Sequence, residues 1–224
     1  MKGEKMPEMW DKKYKCPLCG GTAMSKKVFT DKIRIKNYDP DLKPNYEGIN
    51  ALLYSVVVCE SCYYAALEGD FESQISPIYL DEIRNVQNQF KIPKDLSFSK
   101  ERDHKVAILS YAIASLFYKA KRIPCKAAEM FLRMAWLYRE IEDNENELKA
   151  LAKALVNFEE CYSTSHIDEE KEPMIVFYLG EISYRLGKIQ DARKWFSLLV
   201  TKYRTSKSFY VKAGKDRWQE IKEE

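Results

Sequence analysis

The chain reads YKCPLCGGTAM from Tyr14 to Met24 and VVVCESCYYAA from Val56 to Ala66, and each stretch contains a Cys-x-x-Cys pair. The proline and glycines around the first pair are typical of a knuckle, a tight turn that points two sulfurs at one point. The second pair follows an apolar, β-branched run that predicts a buried strand. Two such pairs supply four thiolates, the tetrahedral set that Zn²⁺ prefers at a closed structural site. We therefore predict one structural zinc ion held by Cys16, Cys19, Cys59 and Cys62.

The pairs are separated by 39 residues, more than the roughly 15–20 of compact four-cysteine sites. An insertion is therefore needed, and NYDPDLKPNYEGIN (37–50) has the turn signals of a long loop. The alternating segment KIRIK (32–36) predicts a further strand. Because loop closure entropy grows slowly with length, one shared metal remains compatible with this spacing.

The sequence gives less support to two other roles of the cysteines, a redox dithiol and a catalytic zinc site. A redox dithiol at Cys16 and Cys19 requires a thiol of lowered pKa at a helix N-terminus, and Gly20-Gly21 disfavours a helix there. A catalytic zinc requires an open coordination position, which four thiolates close.

Composition favours a soluble globular protein, with 46% hydrophobic and 32% charged residues. The N-terminus lacks the apolar run of a secretory signal, and the longest apolar-rich stretch, 106–118, is too short to span a bilayer. We expect a cytoplasmic protein that does not contact a membrane. The net charge of +3 conceals alternating blocks. Residues 1–36 hold ten basic and four acidic side chains, whereas 37–90 hold two and nine.

From Leu80 onward the apolar period changes from two to about 3.6, which predicts helices that start near residues 80, 103, 124 and 144. Pro124 suits a helix start, where its missing amide costs nothing. The C-terminal stretch SFYVKAGKDRWQEIKE (208–223) predicts a capping helix.

One stretch, FYLGEISYRLGKIQDARKWFSLLV (177–200), has small and aromatic residues at the offsets of a tetratricopeptide repeat, a helix-turn-helix unit of 34 residues. These residues are Leu179, Gly180, Gly187, Ala192 and Phe196. The earlier stretch 131–155 matches the same template at Met134, Ala135, Tyr138 and Ala154. The spacing from Ala135 to Gly180 is 45, so an extra loop lies between the units. An ordinary helical bundle is the alternative.

The predicted fold is thus α+β: a small β-rich zinc-ribbon head at 1–78, followed by an all-α tetratricopeptide-like tail at 79–224. Stacked repeats present a groove that binds peptides. On the template, the groove-facing residues are Trp136, Arg139, Phe177, Tyr184 and Arg185. Arginine beside aromatic rings suits an acidic peptide; the alternative is that these charges face water or pair with the acidic block at 127–172. The alternative for Trp136 and Phe177 is packing against neighbouring helices.

The chain resembles a bacterial family known as domain of unknown function 2225, which combines two such knuckles with a helical tail. The resemblance covers nearly the whole chain and is most specific between the knuckles, at Arg34, Asp39, Asp41, Tyr46, Asn50 and Tyr54. AWLYRE (135–140) resembles the family's tail. The chain departs from the family at Ala51, where proline is usual, and at Tyr63, where glycine is common. The resemblance implies a fold and brings no known activity.

We therefore predict a non-enzymatic zinc-binding adaptor whose helical groove binds a protein or peptide partner. The alternative is a nucleic-acid-binding protein that uses the basic head, with Tyr14, Phe29 and Tyr38 as stacking residues. An enzyme with Arg34, Asp39 and Asp41 at its site is the least favoured. We expect these three residues instead to fasten the long loop onto the ribbon, with the tail as a second place of attachment.

Overall fold

A computed structural model describes residues 7–93 and 96–223. In that part of the chain, short antiparallel strand pairs precede seven α-helices, which is the α+β arrangement that the sequence predicts. Contacts divide the chain into two compact units. The first extends to Asn37 and includes Pro44–Arg122, and the second comprises Tyr38–Lys43 and the chain from Ile123 onward. The sequence-based division between residues 78 and 79 stays a prediction.

Each Cys-x-x-Cys pair lies in the connection of a β-hairpin in the first unit. Strands β1 (Met9–Lys15) and β2 (Thr22–Val28) are antiparallel, and residues 16–21 connect them. Strands β5 (Val56–Val58) and β6 (Ala65–Leu67) are also antiparallel, and residues 59–64 connect them. β5 is buried along its whole length, as the β-branched run predicts. The hairpin strands thereby hold both knuckles at their ends.

The insert forms a third pair, β3 (Ile35–Tyr38) and β4 (Pro44–Tyr46). The strand predicted at 32–36 begins later, because residues 30–32 form a 3-10 turn. All four residues of β3 are exposed. The strand therefore has no buried face, and the alternation of polar and apolar residues could not fix where it begins.

Two helices complete the first unit, α1 (Leu80–Gln87) and α2 (His104–Ala120). The Asp103 carboxylate caps α2 by accepting a hydrogen bond from the Val106 amide, which is the usual way to satisfy a free N–H at a helix start. An aromatic core lies beneath these elements, with Tyr64 at 5.4 Å from Phe71 and 5.2 Å from Phe117, measured between ring centroids.

The second unit contains five helices: α3 (Pro124–Glu140), α4 (Asn144–Thr164), α5 (Glu172–Arg185), α6 (Ile189–Lys202) and α7 (Phe209–Glu223). The predicted helix starts near 124 and 144 are confirmed, and so is the C-terminal helix at 208–223. Pro124 occupies the first turn of α3, where no intrahelical donor is required.

The turns that end α3 and α5 are built alike. The Asp143 amide donates to the Tyr138 carbonyl, and the Lys188 amide donates to the Ser183 carbonyl. The residue before each donor has a left-handed backbone, with φ of 59° at Glu142 and 73° at Gly187. The two turns are 45 residues apart, the spacing read from Ala135 to Gly180 in the sequence. The assignment of these hairpins to the tetratricopeptide class stays a prediction.

Close helix approach in the α5–α6 hairpin depends on Gly180. A methyl group built at this glycine would lie 3.0 Å from three carbons of the Phe196 ring, and Phe196 is fully buried. The small residue and the large ring therefore fit together as the sequence pattern predicts.

Candidate functional site

Four cysteines converge in the first unit. The Sγ atoms of Cys16, Cys19, Cys59 and Cys62 lie within 4.8 Å of one another. Two of the separations are 3.6 Å between Cys16 and Cys62 and 3.7 Å between Cys19 and Cys59. A tetrahedron of sulfurs around an ion at about 2.3 Å has edges of about 3.8 Å. The cluster therefore fits one metal ion, and the predicted set of ligands comes together.

The two knuckles repeat one backbone pattern. In the first, the Gly20 amide donates to the Cys16 carbonyl, and the Cys16 amide donates to the Gly21 carbonyl. In the second, the Tyr63 amide donates to the Cys59 carbonyl, and the Cys59 amide donates to the carbonyl of the next residue, Tyr64. The residue after each second cysteine is left-handed, with φ of 72° at Gly20 and 59° at Tyr63. Tyr63 thus adopts the conformation for which glycine is favoured.

The thiols perturb one another strongly. Hydrogen bonds from Cys16 and Cys62 lower the pKa of Cys59, whereas the interaction with Cys59 raises the pKa of Cys16 to about 11. The pKa of Cys62 is also raised, first by its hydrogen bond with Cys16. Four thiolates at this distance repel one another, and a bound divalent cation would compensate that charge.

Glu60, inside the second knuckle, holds the segment that leads to α2. Its carboxylate accepts hydrogen bonds from the Phe98 amide at 2.7 Å, the Ser99 amide at 3.0 Å and the Ser97 hydroxyl at 2.8 Å. These bonds lower the pKa of Glu60 although partial burial opposes them. The Glu60 side chain, between the two cysteines, therefore fixes residues 97–99 to the second knuckle.

Arg102 is a buried cation that the sequence analysis did not single out. Only 4% of the residue is exposed, and burial lowers its pKa to about 10. Its guanidinium donates to four uncharged oxygens: the carbonyls of Phe98, Leu53 and Val56 and the hydroxyl of Ser25. It thereby joins β2, the start of β5 and the segment before α2.

In the second unit, three of the predicted groove residues bind the chain's own insert. We call Tyr38–Lys43 the acidic segment. The Asp41 carboxylate accepts hydrogen bonds from the Trp136 indole at 3.0 Å and from Arg139 at 2.7 and 3.2 Å. Arg185 Nε lies 3.4 Å from the same carboxylate. Arg139 also pairs with Asp39 at 2.9 Å.

Asp41 is only 1% exposed. Burial alone would raise its pKa, but the hydrogen bonds from Arg139 and the charges of Arg185 and Arg139 outweigh burial and lower it. Asp39 and Asp41 thus fasten the long loop to a helix of the tail, whereas their expected attachment to the ribbon stays a prediction. The backbone carbonyl of Arg34, the third of these residues, accepts a hydrogen bond from the Glu47 amide.

The other two predicted groove residues contact side chains of the helices. Phe177 is fully buried, with its ring 6.1 Å from Phe196 and 5.9 Å from Tyr210, so it packs within the helices. The Tyr184 ring lies 4.8 Å beneath the guanidinium of Arg217 on α7. For Phe177, this position matches packing against neighbouring helices and not exposure in a groove.

The aromatic residues considered for nucleic-acid stacking differ in exposure. Tyr14 is 4% exposed, and its hydroxyl donates to Glu68 at 3.0 Å, so its ring offers no free face. Phe29 and Tyr38 are exposed at 36% and 51%. Nucleic-acid binding stays a prediction, but Tyr14 is too buried to stack on a base.

Cys125 and Cys161 form a disulfide that connects the start of α3 with the end of α4. The expectation of a cytoplasmic protein, in which thiols stay reduced, did not predict this bond. Among the described residues, no helix combines the length and apolar character needed to cross a membrane.

Comparison with known proteins gives two matches. A protein of Borreliella burgdorferi, itself described as uncharacterized, is 28% identical over 150 residues, which cover 59% of this chain and 53% of that protein. The alignment thus spans about half of the relative's length. No solved structure matches the chain. A family described as "Uncharacterized protein conserved in bacteria (DUF2225)" matches residues 9–221, and because that match covers nearly the whole chain, the protein belongs to this family.

Proposed function

We propose that the protein is a non-enzymatic, zinc-binding adaptor. The four-sulfur cluster supports zinc as the metal, because the donor set is all thiolate and the sulfur spacing suits a tetrahedral ion. With all four positions taken by protein ligands, the ion stabilises the fold of the first unit and leaves no position for a substrate.

The partner of the adaptor is a protein or peptide that binds the second unit. We define the groove as the face of α3 and α5 that carries Trp136, Arg139 and Arg185. One observation carries this proposal: the groove already holds a peptide segment of the chain, through ion pairs and an indole hydrogen bond. Tryptophan and arginine are also the residues that dominate protein–protein binding energy.

Site-specific photo-crosslinking in native cells tests the adaptor role. A benzoylphenylalanine replaces Phe209, which is 54% exposed and lies 6.0 Å from the Tyr38 ring of the acidic segment. The matched control carries the same group at Val156 on α4, which is 62% exposed. We expect discrete protein adducts at position 209 that are absent at 156. Equal adducts at both positions, or none at 209, would refute binding beside the groove.

A further inference from the structure

Building on the proposed function, we infer the chemistry of the partner: a compact peptide turn with the pattern acid-x-acid-x-base, which competes with the acidic segment for the groove. The segment Asp39-Pro40-Asp41-Leu42-Lys43 has this pattern itself. It therefore acts as an internal ligand, and its contacts define what an external ligand must offer.

Each charged position of the pattern has a partner in the groove, although Arg139 also pairs with Glu147 at 2.8 Å and Arg185 with Glu181 at 3.2 Å. The first acid, Asp39, lies 2.9 Å from Arg139. The second, Asp41, bonds Arg139 and the Trp136 indole. The base, Lys43, lies 2.9 Å from Glu140, and its side chain is 4% exposed. A ligand with acids alone lacks the largely buried Lys43–Glu140 ion pair, so we expect a purely acidic peptide to bind less well.

The bound shape is a closed turn. The Leu42 amide donates to the Asp39 carbonyl at 2.8 Å, and the Asp39 amide donates to the Lys43 carbonyl at 2.9 Å. Pro40 occupies the second position of this turn, where its fixed φ is favourable. The two carboxylates that share the Arg139 guanidinium are presented by this turn, so we expect an external ligand to adopt the same turn.

The internal ligand is imperfect at one residue. Leu42 has a φ of 63°, a left-handed conformation that costs free energy in every residue except glycine and, to a smaller degree, asparagine and aspartate. The αL position of such a hairpin loop normally holds glycine. An external turn with glycine there carries the same charges without the strain, but it loses the packing of the Leu42 side chain, which is only 9% exposed.

The first test uses the full chain and a labelled peptide of residues 35–46 in which glycine replaces Leu42. The receptor is the Asp39→Asn/Asp41→Asn double variant, whose internal segment no longer offers carboxylates. We expect this variant to bind the peptide at least 10-fold more tightly than the wild type, because a tethered competitor acts at an effective concentration of roughly millimolar. A peptide with asparagine at both acidic positions, and the further variant Arg139→Gln, should each abolish binding.

A second measurement requires no variant to fold. In the wild type, the indole N–H resonance of Trp136 reports its bond to Asp41, and excess peptide should shift it while the same peptide with two asparagines should not. The inference is overturned if this resonance stays unchanged, or if a folded double variant binds the peptide no better than the wild type. Crosslinks at position 209 could still appear in that case, so the adaptor role and the nature of its ligand fail separately.

Discussion

Replacement of Arg102 by methionine should destabilise the first unit substantially. Methionine has a similar volume, so the change removes the guanidinium and leaves little cavity. Five N–H···O hydrogen bonds disappear, and they end on three backbone carbonyls and one hydroxyl inside the protein. Each buried acceptor left without a partner costs about 1–3 kcal/mol.

The gain from no longer burying a charge offsets part of this loss. Burial lowers the pKa of Arg102 to about 10, and the partners that it bonds are uncharged. We therefore expect a net loss of about 2–4 kcal/mol in the free energy of unfolding. For a chain of this size that is a fall of roughly 4–16 °C in the melting temperature. Arg102→Lys should lose a smaller amount, because its ammonium group can keep some of these hydrogen bonds although it cannot reach all four oxygens.

Urea unfolding followed by circular dichroism measures this loss. Arg84→Met on α1 is the matched control, since Arg84 is exposed and surface substitutions usually change stability by less than about 0.5 kcal/mol. If Arg102→Met unfolds at the same urea concentration as Arg84→Met, the guanidinium does not organise the first unit and the reasoning is wrong.

Three further outcomes are expected. Elemental analysis should find close to one zinc per chain in native protein; Cys59→Ser should lose it and unfold the first unit, whereas Cys125→Ser, outside the cluster, should keep it. The pKa of Asp41 is lowered in the folded state. Its contribution to stability is therefore present above its unfolded pKa of about 4 and is lost as the pH falls below that value. In acid titrations, Asp41→Asn should lose less stability than the wild type between pH 5 and pH 2.5. Gly187→Ala should cost about 1 kcal/mol in thermal unfolding, because φ there is 73° although space is free, while Gly69→Ala, which also has free space but no such φ, should be neutral.

The sequence predicts what depends on local pattern. The knuckles could be recognised because the Cys-x-x-Cys spacing, with glycine after the first pair, is typical of a tight turn within six residues. The starts of α1 to α4 follow from apolar periodicity and from Pro124. The 45-residue spacing of the helical hairpins is visible because the same turn is built twice.

Partners that are distant in sequence could not be predicted in the same way. Asp41 and Trp136 are 95 residues apart, and nothing in either segment specifies that they bond. Phe177 has the position of a groove residue on the repeat template, but the rings of α6 and α7 enclose it. Arg102 sits in a polar stretch that is typical of a linker, where a single arginine gives no sign of burial.

The disulfide between Cys125 and Cys161 has a consequence for local unfolding. It joins the first turn of α3 to the last part of α4, so this hairpin is closed by a turn at one end and by a covalent bond at the other. A cross-link over about 36 residues removes about 4 kcal/mol of chain entropy from the unfolded state in the entropic account. The α5–α6 hairpin has no such bond among its described residues and relies on packing at Gly180 and Phe196. Under oxidising conditions, amide hydrogens in α3 and α4 should therefore exchange last, and opening of the second unit should begin from its C-terminal helices.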